Sequence, residues 1–277
     1  MKRILTFILT LTLALSFCVN SFAAATTATA SKTQTGTSEA QTDTSKTQAD
    51  TSEAQTDTSK VQAGASYGIS NLNGAPDIVA ESAVVMDANT GTILYGKEAD
   101  TKRYPASITK VMTALLAVEN CKMSDVITYS NAAVNGIEAG SSTAGINVGA
   151  KLTVEDSLYA LMLVSANEAA AAIAEHISGS TTEFAKLMTK RAKELGCTHT
   201  QFKNPHGLPN EEHYTTAHDM GLILKEAMKH EEFRKISGTI SYTLKKSDTL
   251  KDTLELWNHA KILRENSDYY YKYAEGA

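Results

Sequence analysis

Tyr104-Pro105-Ala106-Ser107-Ile108-Thr109-Lys110-Val111-Met112-Thr113-Ala114-Leu115-Leu116 carries both a chemical pair and a fold signal. Pro105 stops any preceding structure. From Ser107 the apolar side chains Ile108, Val111, Met112, Leu115, Leu116 and Val118 recur at helical spacing, which predicts a largely buried helix with Ser107 at its start. Residues i and i+3 share a helix face, so Lys110 is placed to set its amine beside the Ser107 oxygen. A serine hydroxyl is a poor nucleophile at neutral pH and needs a neighbouring base. A lysine serves as that base only when neutral, which requires desolvation or nearby positive charge. Free N–H groups at the helix start suit a developing oxyanion. Chance alone produces Ser-x-x-Lys about once in a chain of this length. This chain has one instance, and the spacing by itself also fits a capping serine followed by a surface lysine.

Working outward, Ser82-Ala83-Val84-Val85-Met86 and Thr92-Ile93-Leu94-Tyr95 are short β-prone runs around Asp87-Ala88-Asn89-Thr90-Gly91, whose Asn and Gly suit the positive φ of a hairpin loop. Downstream, residues 126–129 read as a strand and 135–149 as a Gly/Ser/Ala loop. Thr153-Val154-Glu155-Asp156 starts a helix, with Thr153 as cap and acids where the dipole favours them. That helix, 158–164, runs into Ser165-Ala166-Asn167, and an Ala-rich helix, 168–176, leaves it. Residues 181–195 and 216–230 are helical in pattern, separated by the turn-rich Asn204-Pro205-His206-Gly207-Leu208-Pro209-Asn210, while 240–244 and 253–256 are strand candidates. A hairpin first, helices in the middle and β-prone segments at the end predict an α+β domain with an antiparallel sheet.

The folded part begins near Pro76. Before it, residues 26–75 are rich in Thr, Ser, Ala, Gln and Asp and contain a 14-residue repeat (Thr37–Lys46 returning as Thr51–Lys60), which reads as a disordered spacer. Residues 1–25 combine a basic start, an apolar run from Ile4 to Val19 and the small-residue exit Ala23-Ala24-Ala25, the pattern of a secretory signal. The run falls short of the roughly 20 apolar residues of a stable span. Phe17 before Cys18 does not fit a lipoprotein signal. Removing the signal leaves 24 Lys+Arg against 31 Asp+Glu, an acidic balance that argues against a nucleic-acid partner. Cys121 and Cys197 then remain and read as two buried free thiols, although an oxidising exterior permits one bridge.

Ser165-Ala166-Asn167 sits at a junction between helices, where side chains can project into a cleft or simply form a turn. Residues 104–113 together with Leu163-Val164-Ser165-Ala166-Asn167-Glu168-Ala169-Ala170 resemble the low-molecular-mass penicillin-binding proteins, the serine-type D-Ala-D-Ala carboxypeptidase family. Supporting stretches are Met86–Gly91, Asn204–Leu208, His213–Met220 and Trp257–Lys261, and the similarity runs from about residue 78 to the last residue. The resemblance implies the β-lactamase-like transpeptidase fold, a helical region beside an antiparallel sheet. It makes Ser107 the nucleophile, Lys110 the general base, Ser165 a proton relay to the leaving amine and Asn167 a substrate-binding amide. The implied substrate is the peptidoglycan stem peptide ending in D-Ala-D-Ala, with β-lactams acylating Ser107 by the same route, outside the cytoplasm and without a cofactor or metal.

The family's third motif, Lys-Thr-Gly on a strand lining the cleft, is absent from this sequence. That departure leads to the expectation of an incomplete chain of weak or no activity, lacking an oxyanion donor and the inner strands, with the apolar face of the helix after Ser107 exposed. Peripheral membrane association would then rest on a further C-terminal segment. Two rival readings stay open: a β-lactamase-like hydrolase, which needs a second base, and a secreted module that binds peptidoglycan without turning it over. His206, His213 and His218 lack the His-x-x-x-His spacing of a metal pair and read as turn and surface histidines. The tyrosines at 269, 270, 271 and 273 fit a strand as well as a glycan-stacking patch.

Overall fold

A computed structural model of the chain describes residues 78–263, 265–271 and 274. The signal, the spacer and its repeat lie outside the described residues, as does Tyr273. The chain opens with the expected hairpin, strands β1 (Ala83–Met86) and β2 (Ile93–Lys97), antiparallel with Val85 opposite Tyr95 and a register shift between Val85 and Met86. Gly91 takes the positive φ of the turn, at 79°. Asn89 does not take one, because Asp87 organises the loop instead: its Oδ1 accepts from the N–H groups of Asn89 and Thr90 and from the Thr90 hydroxyl. β1 rests on helix α6 (Ala217–Ala227) at Gly221, where a Cβ would come within 3.1 Å of the Val84 side chain.

The helical region is built around α4 (Asn167–Ser178), which packs against α1 (Lys110–Asn120), α2 (Asn131–Asn135), α3 (Val154–Leu163) and α5 (Thr181–Glu194). Residues 169–174 are all buried, and the small side chains of Ala169, Ala170, Ala171, Ala172 and Ala174 let neighbouring helices approach closely around Ile173. α3 starts where expected, because Thr153 and Asp156 form a reciprocal capping box. α5 buries Phe184, Ala185, Met188 and Ala192 and turns its charged face outward.

Short elements escaped the periodicity. α2, strand β4 (Lys151–Thr153), which pairs with β3 (Val126–Thr128), and α7 (Glu231–Ser237) span only a turn or two, or three residues, and so carry little pattern. The last pair, β5 (Ser241–Leu244) and β6 (Leu254–Trp257), is antiparallel. Tyr242 anchors it to α3 by stacking on Tyr159 at 3.7 Å and donating to Asp156 at 2.8 Å.

Three expectations are corrected. Among the described residues the strands form three separate antiparallel pairs rather than one sheet. The helix after Ser107 is covered on its principal apolar face: Met112, Leu115 and Leu116 are buried against α3, α4, α6 and α7, and Ile108, Val111 and Val118 are partly buried. Tyr269 to Tyr271 are exposed and form no strand, because they follow a tight turn in which the Ser267 hydroxyl accepts from Tyr269 N–H. No helix among the described residues is long and apolar enough to cross a membrane. Both described cysteines are free, Cys197 buried and Cys121 half-exposed.

Candidate active site

Ser107 lies in a 3-10 turn, Ala106–Thr109, that runs into α1, so α-helical bonding starts at Lys110 rather than at Ser107. The cause lies far away in sequence. Ala106 is held at φ 49°, against a loop in which Gly207 (φ 88°) approaches so closely that a Cβ on it would stand 1.8 Å from the Ala106 carbonyl oxygen. Only glycine fits such a place. Asn204 shapes that loop, its Oδ1 accepting from Gly207 N–H at 2.7 Å and its amide donating to Leu208 O at 2.9 Å. Thr113 on α1 donates to Pro205 O at 2.6 Å, which staples loop and helix together.

The turn leaves Ser107 exposed and Lys110 only 3% exposed. Lys110 Nζ lies 3.3 Å from Ser107 Oγ and donates to the His206 carbonyl at 2.9 Å. Burial brings the Lys110 pKa down to about 7, against an opposing pull from the Glu168 carboxylate. Near neutral pH a large share of the amine therefore has a free lone pair within reach of the serine proton.

The nearby histidines add no positive charge. His213 Nδ1 accepts from Lys203 N–H at 3.1 Å, which leaves Nε2–H to donate to Thr109 Oγ1 at 2.8 Å. Burial holds His213 at about 4, and burial with the Lys110 charge holds His206 at about 4, so both rings are neutral at pH 7. Desolvation, then, and not a cationic neighbour, is what lowers Lys110. The reading of these histidines as surface residues is overturned. His213 is 2% exposed, and His218 is half-buried with Nδ1 3.0 Å from Asp100.

The facing wall comes from the α3–α4 junction. Ser165 has φ 59° and ends α3 in the left-handed conformation usually left to glycine. Its hydroxyl oxygen is buried without a hydrogen-bond partner among the described residues. Asn167 begins α4, is 3% exposed, and donates its backbone N–H to Ser142 O at 3.0 Å. Next to it, Glu168 is 2% exposed, and its Oε1 accepts from the Thr143 hydroxyl and from the N–H groups of Ala144, Gly145 and Ile146. One carboxylate oxygen thus gathers the loop that follows Ser142, while Oε2 is buried and unpaired.

A cleft of about 610 Å³ lies between the two walls, lined by Ser107, Asn167, Ser142, Tyr104 and His206 among others. Ser107 and Asn167 therefore meet across one space, with Lys110 beside Ser107; Ser165 is half-buried, its hydroxyl oxygen buried, and it is not among the lining residues. Glu211 is the one carboxylate in the lining, and it is exposed. Thr109, His213, Gly207 and Glu168 are the contributors not singled out from sequence. Their signal was present in the Asn204–Leu208, His213–Met220 and Ser165–Ala170 stretches, without a spacing rule to assign it.

Comparison with known proteins identifies the family. Residues 70–271 match the family described as D-alanyl-D-alanine carboxypeptidase. The D-alanyl-D-alanine carboxypeptidase DacF of Bacillus subtilis is 41% identical over 177 residues, 62% of this chain and 45% of that protein. The D-alanyl-D-alanine carboxypeptidase of Streptomyces sp. strain K15 is 34% identical over 200 residues, 68% of each chain. The crystal structure of the Streptomyces K15 DD-transpeptidase superposes with a TM-score of 0.64 at 33% identity, covering 70% of this chain and 79% of that one. Penicillin binding protein 5 of Haemophilus influenzae superposes at 0.62 with 31% identity, over 69% of this chain and 55% of that one. The chain spans less than half the length of the Bacillus relative. With Ser107 and Asn167 on one cleft of this scaffold, and with residues 70–271 matched, the chain belongs to the D-alanyl-D-alanine carboxypeptidase family of serine peptidases.

Proposed function

We propose that the chain carries the acyl-transfer chemistry of a serine D-Ala-D-Ala carboxypeptidase acting on peptidoglycan stem peptides. The observation that carries this reading is the buried Lys110 amine, 3.3 Å from an exposed Ser107 hydroxyl, in a cleft that also presents Asn167. Lys110 Nζ takes the Ser107 proton as Oγ attacks the carbonyl carbon of the penultimate D-Ala. The tetrahedral intermediate collapses, the peptide C–N bond breaks, and Ser165 passes a proton to the departing D-Ala amine. Water then attacks the ester, releasing the shortened peptide and restoring Ser107. Asn167 holds the substrate backbone by its side-chain amide. A β-lactam carbonyl enters the same path and acylates Ser107. Residues 1–25 direct export, and residues 26–75 space the domain from its site of attachment.

The test is acylation by a fluorescent penicillin, with the adduct located by mass spectrometry. Label on Ser107, lost in S107A and K110A, is expected; label elsewhere, or none, overturns the reading. A β-lactamase needs a second base in the cleft; Glu168 lies outside the lining with Oε1 engaged by four donors, which leaves the exposed Glu211 as the described lining carboxylate for that role and favours the carboxypeptidase. Rapid nitrocefin turnover would reverse that choice. One other reading is a module that binds muropeptides in the cleft presented by Asn167 without turnover. Muropeptide binding with no acyl-enzyme would select it.

A further inference from the structure

Away from the cleft, three side chains of different chemistry converge where α1 ends, β3 begins and α4 finishes. Cys121 Sγ, a carboxylate oxygen of Asp125 and a ring nitrogen of His176 all lie within 4.8 Å of one another. We propose that Cys121, Asp125 and His176 form a binding site for a zinc-type divalent metal ion.

The position of each ligand is set by backbone structure. Cys121 caps α1 in an extended conformation, its N–H bonded to Ala117 O at 3.0 Å. Asp125 closes a tight turn: its N–H donates to Lys122 O at 3.0 Å and one carboxylate oxygen accepts from Lys122 N–H at 2.8 Å, which leaves the other oxygen free to bind. The Asp125 carbonyl accepts from Val154 N–H at 2.8 Å, anchoring the turn to the start of α3. His176 stands in the last turn of α4, exposed on one side.

Thiolate, imidazole and carboxylate together suit a borderline ion such as Zn²⁺ or Co²⁺ rather than Mg²⁺ or Ca²⁺, which favour all-oxygen sites. Around tetrahedral zinc the donor atoms stand roughly 3.3–3.7 Å apart. Three protein ligands leave the solvent side for a water. Burial, and then the Asp125 charge, raise the Cys121 pKa, so the metal-free thiol is protonated. Binding breaks the S–H bond, forms the S–metal bond and sends the proton to solvent.

A second group, Glu119, Glu226 and His230, shows what a filled cluster looks like. There Arg191 already supplies the cation, 2.6 Å from Glu119 and 3.7 Å from Glu226. Among the described residues Asp125 has no such ion pair with Lys or Arg.

Cobalt(II) titration of the 277-residue chain tests the site, because a thiolate ligand gives a near-ultraviolet charge-transfer band. Expected are one cobalt per chain, displacement by zinc, loss of the band in C121S and at least tenfold weaker binding in H176A. The same band should persist in C197S. No band, a band unchanged in C121S, or H176A binding as tightly as the unsubstituted chain overturns the proposal. A measurement without any variant guards against misfolding: zinc should slow alkylation of Cys121, located by mass spectrometry, and unchanged alkylation also overturns it.

Discussion

On the Ser107 side of the cleft the buried polar groups are paired and close to neutral. Thr109 meets His213, Thr113 meets Pro205 O, and Lys110 meets His206 O, with both imidazoles uncharged at pH 7. On the Ser165 side, four residues hold a left-handed serine, a buried carboxylate and the two buried polar atoms that lack partners among the described residues. Each wall carries one left-handed residue, Ala106 and Ser165, but the first has its polar groups paired and is tuned by desolvation, whereas the second stores a buried charge and unpaired groups, as functional sites commonly do. The contrast teaches that the serine is made reactive by packing, whereas the facing wall has its buried hydrogen-bonding capacity only partly used.

The sharpest way to break the Ser107 wall is G207A. The new methyl would meet the Ala106 carbonyl at 1.8 Å and sit at φ 88°, so a loss of about 3 kcal/mol or more in urea unfolding is expected, together with loss of Ser107 acylation. Wild-type stability would show that the loop moves freely. On the other wall, E168A leaves four donors without their acceptor and should cost on the order of 2–3 kcal/mol. E168Q keeps a carbonyl oxygen but removes the charge that raises Lys110, so the midpoint of the acylation pH profile should fall below about 7. An unmoved midpoint would mean the two walls are electrically independent.

K110M separates function from stability. The Lys110 pKa is lower in the folded chain than in the unfolded one, so the unfolded state binds more protons between about 7 and the ordinary value of 10.5. The resulting destabilisation is fully present below about pH 7 and fades as pH rises toward 10.5. K110M should therefore lose acylation yet gain roughly 1–2 kcal/mol at pH 6, after the loss of the hydrogen bonds to His206 O and Ser107 Oγ, with the gain shrinking by pH 10. A pH-independent difference would refute the burial account. The smallest effect is expected from S165G, which relieves the left-handed strain and removes the unpaired hydroxyl: a rise of about 1 kcal/mol, measured by thermal unfolding. Destabilisation instead would mean that the hydroxyl has a partner in solution.

Long periodic segments were legible. The hairpin, α1, α3, α4, α5 and α6 follow from apolar spacing and from caps such as Thr153 with Asp156. Of the site residues expected from sequence, the structure sets Ser107 and Asn167 on one cleft with Lys110 beside Ser107, while the roles of all four, Ser165 included, are proposals. The short elements α2, α7 and β4 were not legible, since a turn of helix or three residues of strand leaves too little pattern to read. His213 illustrates the limit: as a lone histidine between turn residues it looked like surface, and only the packing of α1 on the 204–213 segment buries it.

Sequence alone determined which atoms are available for chemistry and which helices carry them, because covalent order sets the i to i+3 spacing and hydrophobic period sets the buried face. Tertiary structure decided whether the lysine is a base. Desolvation is a property of surroundings supplied by residues as far away in sequence as His206 and opposed by the Glu168 charge, and no local pattern around Lys110 encodes how deeply its neighbours bury it.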